Sequence, residues 1–97
     1  MGFKFIIFGQ ARSGTTTLLE TLRLHPHINA ITEPFNLSRA GWGHQYVDDN
    51  RCLNQVSRAL KQLTKEVDGF KHLVEQGSSI TNSAILDSAD YVITLRR

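Results

Sequence analysis

The chain lacks most of the features that mark large protein classes. It has a single cysteine, Cys52, in 97 residues, so no internal disulfide framework can form and a reducing compartment is the default. Its four histidines, His25, His27, His44 and His72, show no His-Glu-x-x-His spacing. With one cysteine, a zinc centre is not expected. No apolar run approaches the roughly 20 residues of a membrane-spanning helix. Charge of one sign is scarce as well: 11 basic against 9 acidic residues leave a formal +2, which gives no case for bulk binding to nucleic acid or a membrane surface. Repeats and low-complexity tracts are missing. The opening does not have a signal-peptide layout, because the apolar residues 5–8 are few and lead straight into a loop. Met1-Gly2 begins a myristoylation pattern, but Ile6 stands where Ser or Thr is required. The expectation is a cytoplasmic protein with at most one small domain and modest burial.

What is present is concentrated in residues 3–36. Residues 3–8, Phe-Lys-Phe-Ile-Ile-Phe, are apolar except for Lys4 and too short for a helix, so they predict a buried strand. Gly9 stops it. Residues 15–24 carry Leu18, Leu19 and Leu22 at helical spacing, with Ser13, Gly14 and Thr15 as starting residues. A strand, a small-residue loop and a helix form a phosphate-binding arrangement. The free N–H groups of the loop and of the helix start converge, and the helix dipole adds about half a positive charge there. Residues 9–16 read G-Q-A-R-S-G-T-T, which fits G-x-x-x-x-G but has Thr15 where the Walker A loop needs Lys. The nearest cation in sequence is Arg12, within the loop.

The stretch ARSGTTTLLETLRLHPHI resembles the 5′-phosphosulfate loop of sulfotransferases that use 3′-phosphoadenosine 5′-phosphosulfate (PAPS). It is most similar to the branch with Arg-Ser-Gly-Thr-Thr, a helix and then His-Pro, which includes carbohydrate, tyrosylprotein and many bacterial enzymes. The resemblance is dense over residues 5–36, weak across the middle, and returns at residues 91–96. It implies an α/β fold, a P-loop-like three-layer sandwich with a parallel sheet, of which residues 1–97 would be the N-terminal donor-binding part. A strand-like ending at residues 91–95, followed only by Arg96 and Arg97, agrees with a fold incomplete at the C-terminus. A complete mini-domain is the competing expectation.

Along the remaining chain, Pro26 ends the first helix and residues 28–32 predict a short second strand. Residues 37–49, with Gly41, Trp42, Gly43, His44 and Tyr46, read as a loop beside the site. Trp42 and Tyr46 suit either stacking on an acceptor or a core or lid role. From 49 to 67, Leu53, Val56, Leu60, Leu63 and Val67 make one helical stripe, with Asp48, Asp49 or Asn50 as a cap and a basic outer face best read as solvated surface. Residues 70–74 fit a helical turn or a strand; the family commonly has a strand with Gly-Phe-Lys here, which favours the strand. Residues 81–88 predict a short helix, and 91–95 a last buried strand. Alternating strands and helices imply a parallel sheet covered on both faces, with ligands at the carboxyl ends of the strands.

Three groups at that edge carry the chemistry. Arg12, Ser13, Gly14, Thr15, Thr16 and Thr17 would hold the 5′-phosphosulfate, with Gly14 allowing close backbone approach and Arg12 supplying charge where sulfate leaves. An ordinary capped helix start is the alternative. Arg96 ends a strand where a kinase or ATPase tends to place a magnesium-binding Asp. In the family, an Arg after this strand binds the donor's 3′-phosphate, although Arg97 stands where Asp is common. A solvated strand end is the alternative. Glu33 matches the family's general base, a role worth about 10²–10⁴ in rate; a salt bridge to Arg12 competes with it or accompanies it. The reaction implied is sulfuryl transfer from PAPS, as co-substrate and without a metal, to a small-molecule or carbohydrate hydroxyl or amine, the isolated chain itself being inactive. A magnesium-dependent phosphoryl-transfer enzyme and a non-catalytic nucleotide-binding module are the other readings.

Overall fold

In the computed structural model, residues 2–10, 13–36 and 50–95 are described. The elements follow in the order β1 (Phe3–Gly9), α1 (Thr15–Arg23), β2 (Ala30–Thr32), α2 (Leu53–Leu63), β3 (Gly69–Leu73), α3 (Ser79–Asp87) and β4 (Ala89–Leu95), with a 3₁₀ turn at Val74–Gln76 between β3 and α3. The four strands form one all-parallel sheet in the order β2-β3-β1-β4. This is a small α/β domain.

The register explains how the core divides. Ile6 pairs with Phe70 and Val92, while Ile7 pairs with Lys71 and Ile93. Successive residues of a strand point to opposite faces, so these two rows look opposite ways. Ile6 and Phe70 join Val56, Leu60 and Leu63 of α2 and Ile85 of α3 in one cluster, while Ile7 joins Leu19 of α1 and Ala30 in another. Phe70 is gripped edge-to-face by Phe3 at 4.9 Å and by Phe35 at 5.8 Å. Of the predicted α2 stripe, Val56, Leu60 and Leu63 are buried, each worth about 1.5–3 kcal/mol relative to exposure, whereas Leu53 is exposed at the helix start and Val67 lies beyond the helix end at Leu63.

Two expectations require correction. The α2 helix starts at Leu53, with Cys52 at the cap position and no side-chain cap bond. Asn50 instead donates its amide to the Phe35 carbonyl, and Asp48 and Asp49 lie outside the described residues. The strand at the end of the chain is not buried: β4 lies at the sheet edge, with Tyr91 75% exposed and Val92 40% exposed. Its composition matches an interior strand, but composition reports what a strand can bury, whereas the strand order leaves β4 with a neighbour on one side only among the described residues.

The topology also locates the crevice. From β1 the chain crosses by α1 to β2 at the far edge, then returns to β3, and from there continues past β1 to β4. The connections leaving the neighbouring strands β1 and β3 therefore run in opposite directions along the sheet. Such a switch point, at the carboxyl ends of the strands, is where open parallel sheets bind ligands.

Candidate functional site

At the end of β1 the backbone is crowded by necessity. A Cβ on Gly9 would lie 2.7 Å from the Leu95 carbonyl oxygen and 2.9 Å from Ser13 Oγ, so only glycine lets the loop fold back across the strand end. Ser13 donates its hydroxyl to the Gln10 carbonyl at 2.6 Å, tightening the turn. Gly14 occupies the cap position of α1 with φ 90°, in the left-handed region, without a side-chain cap. A Cβ there would meet nothing within 4 Å among the described residues. The first amide of α1 to find its helical acceptor is that of Leu18, on the Gly14 carbonyl. The amides of Thr15, Thr16 and Thr17 precede it, and they belong to the turn whose N–H groups have no intrahelical acceptor. Thr15 is buried; Thr16 and Thr17 are exposed.

Across from this turn lies a charged group that reading the loop alone does not reveal. Lys71, in the centre of β3, is only 5% exposed. Its register partner is Ile7, so its side chain shares the face of α1. There its ammonium donates to Thr16 Oγ1 at 2.6 Å and pairs with Glu33 Oε2 at 3.2 Å. A lysine in a strand buried along its whole length must find a counter-charge, because an unpaired buried ammonium is prohibitively costly. That requirement was the available signal: Lys71 sits in the run Gly-Phe-Lys-His-Leu, with apolar Phe70 before it and Leu73 closing the strand.

Glu33 directly follows β2 and is 6% exposed, with φ 48°. A left-handed conformation is unfavourable for a side chain of this type by roughly 1 kcal/mol, and the contacts of the carboxylate and backbone hold it there. Its N–H donates to the Lys71 carbonyl, and its own carbonyl accepts from Asn36 N–H. Oε1 accepts from Gln76 Nε2 at 2.6 Å and from Asn36 Nδ2 at 3.2 Å. The Gln76 amide orientation is fixed from behind, since its Oε1 accepts from the Leu73 N–H. Burial works against ionisation of Glu33, but the Gln76 hydrogen bond, the Lys71 charge and the bonds from Lys71 and Asn36 outweigh it, so the carboxyl stays below its ordinary value.

A second polar group backs the same strand end from the opposite face. His72 is fully buried, stacked on Phe8 and edge-on to Phe35. Asn82 donates its amide N–H to the Val74 carbonyl, which turns its Oδ1 toward His72 Nε2 at 2.7 Å. His72 is therefore protonated at Nε2, and its Nδ1 has no hydrogen-bond partner among the described residues. Burial pushes its pKa down, against the Asn82 bond and the charges of Glu75 and Glu33, so the ring is neutral.

The structure thus brings Thr16 and Glu33 together through Lys71, with Ser13, Gly14 and Thr15 in the adjoining turn. Arg12 and Arg96 lie outside the described residues, as do Trp42, His44 and Tyr46. Among the described residues Glu33 pairs with Lys71; the alternative of a salt bridge to Arg12 falls on a residue outside them. Sequence reasoning also missed Gln76 and Asn36, two neutral side chains whose role depends on the turns that carry them. His25 belongs to the helix-ending turn, its N–H on the Leu22 carbonyl and its carbonyl accepting from Ile28. No group of acidic, His and Cys side chains able to hold a metal occurs among the described residues, and no helix among them is long and apolar enough to cross a membrane. A groove of about 370 Å³ beside Gly2, Leu60, Lys61 and Thr64 lies at the amino edge of the sheet, away from this cluster, and has no part in its chemistry. Comparison with family models, curated proteins and solved structures finds no match for the chain.

Proposed function

We propose that the chain is the donor-binding part of a sulfotransferase that moves a sulfuryl group from PAPS to a hydroxyl or amine of a small-molecule or carbohydrate acceptor. The observation that carries this reading is the buried Lys71 ammonium held on Thr16 Oγ1. The G-x-x-x-x-G turn has Thr15 in place of the Walker lysine, and a neighbouring strand delivers a cation to the start of the same helix. The P-loop-like fold is part of the proposal and is supported by the parallel order β2-β3-β1-β4 with the turn at its switch point.

The residues fit a phosphosulfate. Gly14, with φ 90° and no atom of the described residues within 4 Å of where a Cβ would stand, permits close approach of an anion to the backbone. The amides of residues 15–17 and the hydroxyls of Thr16 and Thr17 supply donors. Lys71 and Arg12 add positive charge where the bridging oxygen takes on charge as sulfate leaves. Arg96, on the chain just beyond β4, is assigned to the 3′-phosphate. Glu33 is assigned as the base. In transfer, the acceptor oxygen or nitrogen forms the new bond to sulfur and its proton passes to Glu33. The bond from sulfur to the bridging oxygen breaks, and its electron pair stays on the 5′-phosphate of adenosine 3′,5′-bisphosphate.

Titration calorimetry tests the reading. Adenosine 3′,5′-bisphosphate is expected to bind equally with and without EDTA, and more tightly than ATP. Binding of ATP only in the presence of Mg²⁺ would replace the reading with a phosphoryl-transfer enzyme, and binding of neither nucleotide would remove it.

A further inference from the structure

In this structure both oxygens of the Glu33 carboxylate are engaged. Oε1 takes two amide donors, from Gln76 and Asn36, and Oε2 takes the Lys71 ammonium. A base held in this way is poor, since the donor that stabilises its charge also stands where the incoming proton must go. Lys71 is not committed to Glu33 alone: the same ammonium donates to Thr16 Oγ1 at the start of α1. The two halves of the cluster differ in kind. Gln76 is fixed by the Leu73 N–H behind it, whereas Lys71 ends a flexible four-carbon stem and bridges two acceptors.

We infer that Lys71 is shared between Glu33 and the anion bound at the start of α1, so that seating the donor draws the ammonium off Oε2 and readies Glu33 to accept the acceptor's proton. This rests on the proposed donor site and adds to it a coupling: the base is strengthened only when there is something to transfer. Gln76 and Asn36 keep Oε1 in place meanwhile, so the carboxylate does not follow the lysine. Lys71 is the charged group facing Glu33 from β3. His72, on the next residue of that strand, is buried and neutral and turns to the opposite face. Linkage makes the coupling reciprocal. Protonating or neutralising Glu33 releases Lys71 to the anion and tightens its binding.

The test is PAPS titration of the 97-residue chain and its Glu33→Gln variant, in two buffers of different ionisation enthalpy at the same pH. Glu33→Gln is expected to bind PAPS about tenfold more tightly than the parent, as one charge-assisted hydrogen bond is redirected. The parent should take up more protons on binding than the variant; any contribution from the 3′-phosphate is common to both. Equal or weaker binding by the variant with the same proton balance overturns the coupling and leaves the donor site standing. Failure of the parent to bind PAPS overturns both. A measurement that needs no variant is the parent's affinity for inorganic sulfate from about pH 5 down to about pH 3, the range in which Glu33, held below its ordinary value of 4.5, takes up its proton while sulfate stays ionised. Affinity that rises as pH falls supports the coupling, and a flat profile overturns it.

Discussion

Replacing Lys71 with Met is the perturbation whose size follows most directly from the structure. Lys71 and Glu33 are 5% and 6% exposed and lie 3.2 Å apart, so this is a buried pair and not one weakened by solvent. Met retains most of the aliphatic stem, so little cavity is created and the loss is electrostatic. Removing one partner of a buried pair costs about 3–5 kcal/mol, because the other charge is left uncompensated. Glu33 keeps the Gln76 and Asn36 donors, which places the expected cost at the low end, about 3 kcal/mol, or roughly a hundredfold in the folding equilibrium. Adding Glu33→Gln removes the stranded charge and should return about 2 kcal/mol of that, a coupling of the size that contacting residues show. Urea unfolding followed by far-UV circular dichroism measures both, as a shift in midpoint at constant slope. A single-variant cost below about 1 kcal/mol with additive double-variant behaviour would refute the account of a buried, mutually dependent pair.

Other outcomes follow from the same geometry. His72 is kept neutral by burial, so below its ordinary value of 6.5 the unfolded chain binds a proton that the folded chain does not; stability should fall as pH drops through that range, and His72→Gln should flatten the slope in pH-dependent thermal melts. The lowered Glu33 carboxyl acts in a separate window, its contribution being present above the ordinary value of 4.5 and lost as pH falls through the folded value. Gly9→Ala places a methyl 2.7 Å from a backbone oxygen, and a loss of about 1–3 kcal/mol is expected in denaturant unfolding. Arg12→Ala and Arg96→Ala are each expected to weaken adenosine 3′,5′-bisphosphate binding about 10–100-fold by calorimetry, the worth of a hydrogen bond to a charged group.

Periodicity carried the helices and strands well because each is built on local spacing. The apolar run of residues 3–8 became β1 and the stripe from Val56 to Leu63 became the buried face of α2. The choice between helix and strand at residues 70–74 resolved as β3 at Gly69–Leu73 with a 3₁₀ turn after it. Edge position was less legible. Tyr91, Val92 and Ile93 compose an interior-type strand, yet pairing with β1 on one side alone left Tyr91 and Val92 exposed. Of the site, the loop glycines and the position of Glu33 at a strand end could be read directly. Lys71 could be read as a strand residue and not as a site residue, since its partner Thr16 is 55 positions away.

From the order of its residues alone, the chain commits to a strand, a glycine-rich turn and a helix, because those depend on neighbours within a few positions and on the backbone freedom of Gly9 and Gly14. Which charge would meet that turn is not a local property. It was set when β3 inserted beside β1 and brought Lys71 level with Ile7, within reach of Thr16 on one side and Glu33 on the other. Once that face was closed from water, an ammonium and a carboxylate could remain there only as a pair.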